Sequence, residues 1–128
     1  MRALLDTHAF LWWITDDRRV SRRVREMLEN QGNDFLFSAA SAWELIIKAQ
    51  LGKLKLPVHA PQFIQEQLAL NTLLVLPIDL AHVLHVHTLP MHHRDPFDRI
   101  LIAQSQVEKL PIVTADPLIA QYAVETIW

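Results

Sequence analysis

The sequence contains no cysteine and only two glycines among its 128 residues. Without thiols there is no disulfide framework, no thiolate metal site and no cysteine nucleophile, and a reducing cytoplasmic location is the expectation. The scarcity of glycine, with seven prolines, argues against collagen-like sequence and long flexible linkers. Long apolar runs are also missing. The longest early one, Ala9 to Ile14, is too short to span a membrane, and it lacks a signal peptide's order of charge, apolar stretch and cleavage site. What is present is 51% hydrophobic and 20% charged residues, a composition that folds, at a length suited to a single domain over 1–128. Twelve basic residues against 14 acidic ones give a net charge of -2, which taken whole argues against gripping nucleic acid by bulk positive charge.

Along the chain, apolar patterning predicts alternating strands and helices. Arg2 to Leu5 reads as a strand ending at Asp6, followed by a buried helix over Thr7–Ile14 with its aromatic bulk. Ser21 to Gln31 reads as an amphipathic helix capped by Ser21 and stopped at Gly32, and Phe35 to Phe37 as a second strand. A third helix is expected over Ser41–Leu51, closed by Gly52, then an extended connector to Pro57. Pro61–Asn71 and Asp79–Leu89 read as helices around a strand at Leu73–Ile78. Asp95-Pro96 starts a helix over Phe97–Leu110, Ile112–Thr114 is a strand, Pro117 opens a short helix, and Val124–Trp128 forms an edge strand. This alternation predicts an α/β fold with a central parallel sheet covered on both faces, whose ligand site lies beyond the carboxyl ends of the strands.

Asp6 and Asp116 follow predicted strands, Asp98 lies in the first turn of a helix, and Glu44 stands near the start of another. These positions converge on one rim of a parallel sheet. Four carboxylates there repel one another unless a divalent cation neutralises them, and an all-oxygen set suits Mg²⁺ or Mn²⁺. The chemistry such a site supports best is phosphodiester hydrolysis. Structural roles compete with this reading. Asp95-Pro96 with Asp98, and Asp116-Pro117, match helix N-termini; Ser41-Ala42-Trp43-Glu44 matches a capping box; Glu44 can pair with Lys48. Asp6 is the exception, because Thr7 could cap the following helix equally well.

The stretches Leu4-Leu5-Asp6-Thr7-His8, Ser41-Ala42-Trp43-Glu44 with Gly52-Lys53-Leu54, His93-Arg94-Asp95-Pro96-Phe97-Asp98-Arg99 with Ala103-Gln104, and Thr114-Ala115-Asp116 together resemble the PIN-domain family, most closely its VapC-like ribonuclease toxins. The resemblance covers nearly the whole chain. It implies an α/β/α sandwich, a Mg²⁺-dependent endoribonuclease with Asp6, Glu44, Asp98 and Asp116 as the acidic quartet, and Asp6 and Asp98 as direct metal ligands. Asp95 belongs to the motif as a capping or supporting residue. A homodimer, an RNA substrate and a cognate antitoxin protein are the implied partners, with no membrane association.

Other groups carry less. Arg18, Arg19, Arg22, Arg23 and Arg25 read as a solvated helix face, with RNA or antitoxin contact as the alternative. Phe10, Trp12, Trp13 and Trp43 read mainly as core, any exposed remainder facing a partner. His82, His85, His87, His92 and His93 have spacings reminiscent of zinc sites, but no paired carboxylate or cysteine completes one. Thr7, Ser38 and Thr114 lie near the acids, placed to orient a metal-bound water or a phosphate, with capping or ending a strand as the alternative. The competing functions are an α/β phosphoryl-transfer domain (a receiver or phosphatase) with Asp6 as phospho-acceptor, and a non-catalytic binding module. The net charge also divides: setting aside Asp6, Glu44, Asp95, Asp98 and Asp116 leaves nine acids against 12 basic residues. The negative total therefore belongs to the acid pocket, and RNA remains a substrate once a cation fills it.

Overall fold

Five parallel strands form the centre of the computed structural model, which describes residues 1–128. In chain order these are β1 (Arg2–Leu5), β2 (Asp34–Ser38), β3 (Leu74–Leu76), β4 (Ile112–Val113) and β5 (Thr126–Ile127), arranged β3-β2-β1-β4-β5. The helices are α1 (Thr7–Ile14), α2 (Arg22–Glu29), α3 (Ala39–Gln50), α4 (Ala60–Leu70), α5 (Leu80–Val86) and α6 (Pro96–Glu108), with a 3-10 turn at Ile119–Gln121. Alternate strand residues serve opposite faces. Ala3, Leu5, Phe35 and Phe37 pack with Phe10 and Trp13 of α1, Val24 and Leu28 of α2, Leu45 of α3 and Phe63 of α4. Leu4, Leu36 and Leu76 face Leu101 of α6, beside a cluster of Ile102, Ala103, Ile112, Ile119 and Tyr122. Burial on both faces explains why Ala3–Leu5, Phe35–Phe37 and Ile112–Val113 are continuously apolar rather than alternating, each fully buried Leu, Ile or Phe contributing about 1.5–3 kcal/mol.

Several boundaries differ from the sequence reading, each for a local reason. α3 begins earlier, because Ser38 rather than Ser41 caps it by accepting from the Ala40 N–H at 3.0 Å. Ser41 lies inside the helix and receives the Thr7 hydroxyl at 2.9 Å, so Ser41–Glu44 is not a capping box. α2 stops at Glu29, before Gly32, with Asn30 as its C-cap. Gly52 has φ of 72° and closes α3 as expected, but the connector after it forms no strand. β3 keeps only three residues, since Pro77 has no N–H to extend the ladder. No helix is long and apolar enough to cross a membrane.

The chain builds outward from β1 to β3 and then returns to place β4 and β5 on the other side of β1. That reversal opens a crevice beyond the carboxyl ends of β1 and β4.

Candidate active site

Asp6 immediately follows β1 and lies at the reversal point, 3% exposed. Its Oδ1 accepts the Ala9 N–H at 2.7 Å, making it the N-cap of α1. The expectation that Thr7 could cap this helix equally well is therefore corrected: Thr7 turns to Ser41 and leaves the cap to Asp6. The other oxygen, Oδ2, accepts a short hydrogen bond from the Thr114 hydroxyl beyond β4. Thr114 in turn accepts from the Asp116 N–H at 3.0 Å, so one hydroxyl couples the two acids that end neighbouring strands. Burial raises the pKa of Asp6, partly opposed by the Ala9 and Thr114 hydrogen bonds.

Asp98 enters from the first turn of α6, where Asp95 is the cap, accepting from the Phe97 and Asp98 N–H groups at 2.8 and 3.1 Å. Asp98 itself caps nothing. Burial pushes its pKa up to about 7, reinforced by the charges of Asp95, Asp6 and Glu44 and opposed by His93. Glu44 comes from α3 and is 2% exposed. Lys48 holds its Oε2 at 2.7 Å, while Oε1 is buried without any hydrogen-bond partner. Asp116 is half-buried and also caps its turn, accepting from the Leu118 N–H at 2.8 Å. All four sequence-predicted acids thus meet at one end of the sheet, and Asp95 supports the pocket as a cap whose charge reaches Asp98.

Sequence reasoning missed the residue at the centre. His93 Nε2 lies 2.9 Å from Asp98 Oδ2 and 3.1 Å from Asp116 Oδ2. Its Nδ1 accepts the Asp95 N–H at 3.2 Å, which puts the neutral ring's proton on Nε2, between the two carboxylates. The ligand atoms of His93, Asp98 and Asp116 lie within 4.8 Å of one another, a set that excludes Asp6 and Glu44. The backbone N–H of His93 donates to Tyr122 Oη at 2.8 Å, and Arg99 donates to that oxygen at 3.2 Å, to Pro90 O at 2.9 Å and to Val86 O at 3.3 Å. The second arginine of the His93–Arg99 stretch is therefore a clamp on the loop that carries His93. A buried oxygen lacking any donor, among carboxylates from four parts of the chain, fits a divalent cation: an unpartnered buried carboxylate oxygen is costly unless a positive charge meets it.

A match to the PIN domain family model runs over residues 3–125. The chain belongs to the PIN domain family. Over 62 residues this PIN domain is 34% identical to Ribonuclease VapC16 of Mycobacterium tuberculosis (strain ATCC 25618 / H37Rv), a match covering 48% of this chain and 44% of that relative. Its fold is similar to a chain in the crystal structure of VapBC2 from Rickettsia felis bound to a DNA fragment from their promoter. That similarity has a TM-score of 0.72 at 15% identity and covers 99% of this chain and 98% of that one. A chain of FitAcB from Neisseria gonorrhoeae aligns with a TM-score of 0.68 at 19% identity, covering 100% and 97%.

The remaining candidates of this PIN domain have structural partners. Ser38 donates to Gln104 Oε1 at 2.6 Å, and Gln104 donates to Pro77 O at 3.1 Å, tying β2, α6 and the end of β3 together beneath the pocket. His82 is fully buried, and carboxylates do stand beside it, contrary to expectation: Glu108 at 2.9 Å and Asp79, whose N–H donates to His82 Nδ1 at 2.9 Å. Both ring nitrogens are engaged, so that trio fastens α5 to α6. Of the arginine cluster, Arg19, Arg22 and Arg25 pair with Asp17, Glu26 and Asp16.

Proposed function

We propose that this PIN domain is a divalent-metal-dependent endoribonuclease, acting as the toxic component of a toxin–antitoxin pair. The observation that carries the reading is the pocket of buried Asp6, Glu44 and Asp98 beside half-buried Asp116, with Glu44 Oε1 left unpartnered. Asp6 and Asp98 are the direct ligands in this reading, and Glu44 and Asp116 complete the site and orient the attacking water. Mg²⁺ or Mn²⁺, when bound, would supply Lewis-acid activation and charge neutralisation for phosphodiester hydrolysis. Thr114 fixes the orientation of Asp6, Lys48 fixes that of Glu44, and His93 places its N–H between Asp98 and Asp116. A single domain, a second copy of the chain and a cognate antitoxin protein belong to the same proposal.

The competing readings fare less well. The strand order differs from the 2-1-3-4-5 order of receiver domains. The caps made by Asp6, Asp95 and Asp116 favour a non-catalytic module, but that reading leaves the orphaned Glu44 oxygen unexplained. Purified protein incubated with RNA and Mg²⁺ or Mn²⁺ is expected to cleave it, with cleavage abolished by EDTA and by Asp6→Asn. Cleavage that survives both treatments sinks the proposal.

A further inference from the structure

We propose that Trp43, held by Phe97, is a stacking platform for an unpaired base of single-stranded RNA beside the scissile phosphate, a subsite that rests on the nuclease reading above. Trp43 directly precedes Glu44 on α3, and Phe97 directly precedes Asp98 on α6. Consecutive helical residues point about 100° apart, so when Glu44 and Asp98 turn into the pocket their neighbours stand at its lip. The burial follows this geometry, with Glu44 2% and Trp43 59% exposed. The two rings meet edge to face, with centroids 5.3 Å apart and planes at 82°. Such a pair is a favourable aromatic arrangement that restrains the indole while leaving it open to solvent.

Two observations favour a nucleotide as occupant. Arg94, in the loop leading into Phe97, is exposed and pairs with no carboxylate, unlike Arg19, Arg22, Arg25 and Lys48. An exposed cation in the loop that leads to the aromatic pair suits a backbone phosphate, while the open ring suits a base, the two elements by which single strands are bound. Many of the exposed aliphatic side chains, Leu74 and Val75 of β3 and Leu80, Val83 and Leu84 of α5, belong to elements that carry none of the pocket acids.

The test separates binding from cleavage. With Mg²⁺ present, a single-stranded 2′-O-methyl oligonucleotide of mixed sequence is titrated into the wild type, Trp43→Phe and Trp43→Ala, following tryptophan fluorescence and, with a labelled strand, anisotropy. The expected result is quenching in the wild type that Trp43→Phe lacks, and binding weakened about tenfold in Trp43→Ala but retained in large part by Trp43→Phe. On a cleavable RNA the same loss should fall on KM rather than kcat. Equal quenching and equal affinity in all three proteins overturn the platform, as does a Trp43→Ala variant that loses only a protein partner. Failure of the wild type to cut RNA, with the Trp43-dependent quenching intact, fails the nuclease reading and leaves the base platform standing.

Discussion

At the residue scale, Asp98 shows how the pocket trades stability for chemistry. A carboxylate with nothing to cap, raised to about 7 by burial and by neighbouring acids, is held at a cost that a cation would relieve. Because the folded form holds its proton more tightly than the unfolded chain, this contribution to stability is complete below the unfolded value near 3.8 and is lost as pH rises through about 7. Urea unfolding in EDTA should therefore show stability falling between about pH 4 and pH 7 and levelling off above that, by an amount on the order of a few kcal/mol. Asp98→Asn should flatten that fall and exceed the wild type in stability at pH 8, while cutting no RNA. An equally steep fall in the variant would contradict this assignment of the strain. His93 belongs to the same account: its N–H between Asp98 and Asp116 is the donor that lets two acids approach without a metal.

At the scale of elements, the sequence carried the order of strands and helices because strands buried on both faces and helices started by Ser21, Pro61 and Asp95-Pro96 leave strong local signals. The convergence of Asp6, Asp98 and Asp116 was legible for a similar reason, since strand ends and first helical turns gather at one rim of a parallel sheet; Glu44 reaches the same rim from the second turn of α3. His93 was not, because its role depends on a loop whose shape is set by contacts distant in sequence: Tyr122 lies 29 residues away and Arg99 reaches back to Val86 and Pro90. Asp6 was not singled out as the cap because the competing choice, Thr7, is withdrawn only by Ser41 on another helix. The loop clamp yields its own expectation. Arg99→Lys replaces a planar fork with a single ammonium that cannot serve Val86, Pro90 and Tyr122 together. It should cost about 1–3 kcal/mol and speed amide hydrogen exchange over residues 87–95. Exchange in β1 and β2 should be unchanged, and a uniform acceleration across the chain would count against a local clamp.

At the scale of the whole molecule, the sign of the net charge depends on whether the pocket is filled. Asp6, Glu44, Asp98 and Asp116 converge at one end of a sheet that both helical layers leave open. Mg²⁺ or Mn²⁺ binding only the folded state should stabilise it by about 2.7 kcal/mol at a free concentration 100 times Kd. Calorimetry should show a melting temperature that climbs with ion concentration, an effect lost in Asp6→Asn; a flat response in the wild type would remove the metal site. The reversal of strand order between β1 and β4 also has a side that unfolds in time. Thr114 is synthesised 108 residues after the Asp6 it must grip, and β1 lacks its β4 neighbour until then. A nascent chain therefore lacks both the Thr114 grip on Asp6 and the Asp116 carboxylate while β4 is unmade, so the pocket is completed only after β4 has joined β1.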